Sequence, residues 1–83
     1  MTIAEMIEAI GFATIEVLFV TPAGRFHNRF DIDHISEDKD IFFLEDADGY
    51  PMELKKDSEV KLEDDGTYSI NRGDCLICIK LGA

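Results

Sequence analysis

Few residues in this chain have the types and spacing to do chemistry. Cys75-Leu76-Ile77-Cys78 holds two thiols three positions apart, the spacing of redox pairs and of one half of a zinc site. Such sites need a turn or a helix start, where both sulfurs converge. The run from Cys75 to Leu81 instead has strand character, and strand residues three apart point to opposite faces. His27 and His34, the other soft ligands, are separated by six residues, outside the usual H-x3–5-H spacing. The cysteines therefore read as small buried hydrophobes, and no metal or cofactor is expected.

Other short strings give equally bland readings. His27 and His34 lie near Asp31 and Asp33, so an acid/base pair is conceivable. Yet the alternating pattern puts His27 on a solvated strand face with Arg29, Asp31 and Asp33. No phosphate loop, G-x-S-x-G or H-E-x-x-H occurs, and a small domain leaves little volume for a ligand pocket. The chain reads as non-enzymatic. Asp46-Ala47-Asp48-Gly49 resembles the middle of a calcium loop, but alignment on Gly49 puts Leu44 and Lys55 where the first and last oxygen ligands belong. It reads as an acidic hairpin turn, and Arg72-Gly73-Asp74 as another turn.

Charge is more informative. The net charge is −10, and residues 31–65 hold fourteen acids against four lysines. The rest of the chain carries four acids and four bases and is neutral. Such a field repels nucleic acid and anionic membranes and attracts basic surfaces, so neither direct nucleic-acid binding nor membrane binding is expected. The candidate partner-binding carboxylates are Glu37, Asp38, Asp40, Glu45, Asp46, Asp48, Glu63, Asp64 and Asp65. They fall mainly on a connector and two turns, where they project freely. Acidity that only keeps a small β-protein soluble is the plainer alternative.

The elements that would position these groups begin with a helix over residues 1–11. Ile3, Met6, Ile7 and Ile10 form one apolar stripe, Thr2 and Glu5 form a capping box, and Gly11 ends it. From residue 13 to 81 the period is two. Thr14 to Val20 is rich in β-branched residues, and Thr21-Pro22-Ala23-Gly24 is a tight turn. Phe26, Asn28, Phe30 and Ile32 then alternate with polar partners. Ser36 to Asp40 reads as a connector, and Ile41 to Leu44 as a strand covered on both faces. Asp48-Gly49 and Asp65-Gly66 are hairpin turns, and Cys75 to Leu81 reads as a central strand. The expectation is a single α+β, mainly β domain over residues 1–83. The helix would pack on a strongly bent antiparallel meander of about six short strands, a small barrel.

No apolar run approaches the ~20 residues that cross a bilayer. Glu5 and Glu8 stand where a secretory signal would be basic, and two cysteines do not make a disulfide scaffold. The expected location is cytoplasmic.

In organisation, a helix followed by bent antiparallel strands resembles the Sm-like and SH3-like small barrels. In size, charge and make-up the chain is similar to phage-encoded inhibitors of DNA-handling enzymes, such as uracil-DNA glycosylase inhibitor and small anti-CRISPR or anti-restriction proteins. This likeness is one of type across the whole chain; no family motif or functional residue is matched. It implies a DNA mimic, a non-enzymatic inhibitor whose acidic surface blocks the basic site of a nucleic-acid-binding protein. The alternative is a structural module that self-associates, to a homodimer for example, because Phe26, Phe30, Phe42 and Phe43 exceed what so small a core buries.

Overall fold

The capping box forms as its residue types dictate. In the computed structural model, which describes residues 1–82, Thr2 Oγ1 accepts from Glu5 N–H at 3.1 Å and Glu5 Oε1 accepts from Thr2 N–H at 2.9 Å. The helix α1 spans Ile3–Ile10 and buries Ile3, Met6, Ile7 and Ile10. Gly11, at φ 58°, sends its N–H back to Ile7 C=O and ends the helix in a conformation that favours glycine. Eight residues are too few to hold a helix alone, so its stability comes from this apolar stripe.

Eight strands follow: β1 (Thr14–Thr21), β2 (Gly24–Asp31), β3 (His34–Glu37), β4 (Ile41–Glu45), β5 (Pro51–Lys55), β6 (Val60–Leu62), β7 (Tyr68–Arg72) and β8 (Cys75–Leu81). They form two antiparallel sheets. One has five strands in the order β2-β1-β8-β7-β6, and the other has three in the order β3-β4-β5. The N-terminus adds to the β6 side of the larger sheet, where Met1 exchanges backbone bonds with Val60 at 2.9 Å. One core joins everything. The helix stripe meets Ile15, Val17, Phe30, Ile70, Ile77 and Ile79 of the larger sheet and Leu44, Met52 and Leu54 of the smaller.

The mainly antiparallel, helix-first architecture is as expected, and β8 lies at the centre of its sheet. Three expectations need correction. The strands do not form one bent meander: β8 returns to pair with β1 as well as β7, the strands divide into two sheets, and the larger sheet ends in β2 and β6 without closing into a barrel. Residues 34–37, of which Ser36 and Glu37 read in the sequence as the start of a connector, form a strand of their own, with Ile35 facing Leu44 across the ladder. Finally, β4 is covered on one face only. Leu44 and Phe42 point to the core, whereas Ile41 and Phe43 stay half-exposed on the other side.

Candidate functional site

The three-stranded sheet is where the acidic residues concentrate. Residues 34–55 carry seven acids and two lysines, a net of −5. Its outward face is built by strand alternation. Ser36, Phe43 and Glu53 lie side by side across the three strands, flanked by His34, Glu45 and Pro51 in one row and by Ile41 and Lys55 in another. Half-buried Phe43 and Ile41 thus form a small apolar centre.

Acidic turns close both ends of this face. At one end, Asp38 N–H donates to Ile41 C=O at 2.8 Å, and Asp38 Oδ1 accepts from Lys39 N–H at 2.8 Å. Asp40 is exposed there, and Glu37 pairs with Lys56 at 3.5 Å. The Lys56 ammonium lies 4.9 Å from the Phe42 ring centre, so its charge is shared between a carboxylate and an aromatic face. At the other end, Asp46 Oδ1 accepts from Asp48 N–H at 3.0 Å and from Tyr50 N–H at 2.9 Å. Asp46 therefore builds its own turn, as aspartates in such loops do. Asp48 is exposed with its carboxylate unengaged. The two ends are separated by the length of β4, five residues or roughly 17 Å at ~3.4 Å per residue.

Glu63, Asp64 and Asp65 lie elsewhere, on the turn between β6 and β7 of the larger sheet. Glu63 accepts from Ser69 Oγ at 2.8 Å and lies 3.8 Å from Lys61. Asp65 Oδ1 accepts from Thr67 N–H at 2.9 Å, and that bond holds the Asp65 carboxyl below its ordinary pKa. Of the nine candidate carboxylates, six thus belong to the small sheet and three to the large one.

The larger sheet is balanced on its outward face. Arg25, Arg29, Lys61 and Lys80 stand there against Glu16, Asp31, Glu63 and Asp65, around half-buried Leu18, Val20, Leu76 and Cys78. The cysteines diverge as strand geometry requires. Cys75 packs against the core, and Cys78 opens on the outward face beside Leu18 and Lys80. Burial, then the charges of Glu63 and Asp65, push the Cys78 thiol up. Among the described residues no group of three His, Cys, Asp or Glu side chains is placed to hold a metal ion.

A cleft of about 640 Å³ opens between the two sheets, which corrects the expectation that so small a domain leaves little volume for a pocket. Its floor is Val17, Phe30, Met52 and Ile77, and its rim includes Asp46, Asp48, Glu53 and Arg72. Phe26, on the core side of β2 by alternation, is nevertheless 56% exposed. Arg72 of the Arg72-Gly73-Asp74 turn faces this cleft. No helix among the described residues is long and apolar enough to cross a membrane. No protein-family model matches the chain, and no curated protein or solved structure matches it either.

Proposed function

We propose that this chain is a non-enzymatic, cytoplasmic binding protein that presents its three-stranded sheet to a basic surface on another protein. The observation that supports this reading is the build of the small sheet's outward side. Half-buried Phe43 and Ile41 sit between two acidic ends, in a unit with seven acids against two lysines. An apolar centre inside a charged rim is the usual anatomy of a protein interface, and the rim charges speed encounter with a partner of opposite sign. A partner whose basic site normally holds nucleic acid fits best, because carboxylates spaced along a rigid strand can stand in for backbone phosphates. This is the role of the phage-type inhibitors that the chain resembles in size and charge.

Asp40, Asp48 and Glu53 are exposed and hold no turn together, so they are the candidates for direct contact. Asp46 and Asp38 build turns, and Glu63 to Asp65 lie on the other sheet. The test is a pull-down from lysate with a salt-wash series, using wild type and an Asp40→Asn, Asp48→Asn, Glu53→Gln triple variant. The reading expects a basic protein that is retained by wild type, released as salt rises, and lost from the triple variant. Retention that ignores both salt and the three substitutions would sink it.

A further inference from the structure

The outer edge of β2 has no strand beside it. It stands first in the order of the five-stranded sheet, with β1 on one side only. In an antiparallel ladder, alternate residues direct their N–H and C=O groups to the same neighbour. Ile32 N–H donates to Ala13 C=O at 3.2 Å, in phase with the Ile15–Phe30, Val17–Asn28 and Phe19–Phe26 pairs. Gly82 N–H donates to Thr14 C=O at 2.8 Å, which assigns the alternate β1 residues to β8. Phe26, Asn28 and Phe30 therefore bond β1, while Arg25, His27, Arg29 and Asp31 turn their backbone groups toward the open edge. Among the described residues no strand covers this edge, and its register is unbroken over eight residues with no proline.

The charge pattern of the edge is complementary to itself. Antiparallel pairing with a two-fold axis at Asn28 sets Arg25 opposite the partner's Asp31, and Phe26 opposite the partner's Phe30. Each contact occurs twice by symmetry. Every outward amide of Arg25, His27, Arg29 and Asp31 then meets a carbonyl of the other copy. Moving the axis to His27 sets Arg25 against Arg29, and moving it to Arg29 sets that residue against itself. Like charges directly opposite are destabilising, so both registers are disfavoured. Shifts that put the axis between residues place inward side chains on the outward face and break the hydrogen-bond phase. The Asn28 register also seats Phe26, 56% exposed in the single chain, beside Phe30 at the mouth of the inter-sheet cleft.

We propose that this chain forms a two-fold dimer by pairing its β2 edges, with Asn28 opposite the partner's Asn28, giving one continuous sheet across both copies. This stands apart from the acidic-face reading, which uses the other sheet.

Sedimentation velocity of the full chain, from micromolar to submillimolar concentration, should show a concentration-dependent dimer. His27→Pro removes one outward amide and no bond to β1, a placement that edge strands tolerate. It should weaken the dimer by roughly tenfold or more while circular dichroism and the melting temperature hold. Asn28→Cys, in a Cys75→Ser, Cys78→Ser background, puts two thiols on the axis at a Cα separation of about 4.5 Å, within disulfide reach. It should cross-link between chains under mild oxidation much faster than Arg25→Cys in the same background. A monomer across the whole range, a dimer indifferent to His27→Pro in a folded variant, or Asn28→Cys cross-linking no faster than Arg25→Cys would each overturn the proposal.

Discussion

The two sheets share a core and face the solvent differently. The five-stranded sheet buries Ile15, Ile70 and Ile79 completely and is close to electrically balanced on its outward face. The three-stranded sheet buries Leu44 and Leu54 as deeply but carries seven acids against two lysines, with Phe43 and Ile41 left half-exposed. The small sheet is covered on one face and turns the other outward. The comparison teaches that two sheets can share one core while the charge imbalance gathers on one of them.

The sharpest way to break this comparison is to truncate a side chain in each sheet. Ile79→Ala, at the centre of the larger sheet and fully buried, should cost about 3–4 kcal/mol in urea unfolding. Phe43→Ser, on the outward face of the small sheet, should cost roughly 1 kcal/mol or less and should weaken partner capture. Comparable losses from the two would mean that Phe43 is a core residue and that the small sheet has no spare face.

The helix, most of the strands and the hairpin turns were legible because their signals are local. Thr2 and Glu5 cap each other three residues apart, and Asp48-Gly49 and Asp65-Gly66 specify turns by dihedral preference alone. The division into two sheets was not, since it depends on β8 pairing with β1 some sixty residues away, as in the Val17–Ile79 pair. β3 was missed because its half-exposed, charged residues have weak strand preference, and pairing with β4 decides it. The acidic residues could be named from the sequence. Their split between two sheets, and the turn-building role of Asp46, could not, because both depend on where the chain turns back in space.

A second contrast lies inside the acidic set. Asp46 accepts two backbone amides and Asp48, two residues on, accepts none. Asp46→Ala should therefore destabilise the fold by about 1 kcal/mol, as the loss of other side-chain caps does. Asp48→Ala should leave thermal stability within about 0.5 kcal/mol and reduce salt-sensitive binding instead. Equal thermal shifts for the pair would show that the turn is held by its backbone bond from Gly49 N–H to Asp46 C=O and owes nothing to the side chain.

The smallest effect concerns acid stability, and it falls on the larger sheet. The bond from Thr67 N–H lowers the Asp65 carboxyl below its ordinary pKa, so the folded state binds this proton less readily than the unfolded chain. Its contribution is therefore fully present above the unfolded pKa and is lost as pH falls through the lower, folded value. Asp65→Asn keeps a side-chain oxygen for Thr67 N–H and removes the titration. Stability near neutrality should hold, while the acid arm of the stability–pH profile becomes slightly shallower. The same substitution removes one of the negative charges that, after burial, hold the Cys78 thiol up. Cys78 should then alkylate slightly faster at mildly alkaline pH, because more of it is thiolate. An unchanged acid arm together with an unchanged alkylation rate would show that Asp65 is electrostatically silent and that its turn depends on the backbone of Gly66 and Glu63 alone.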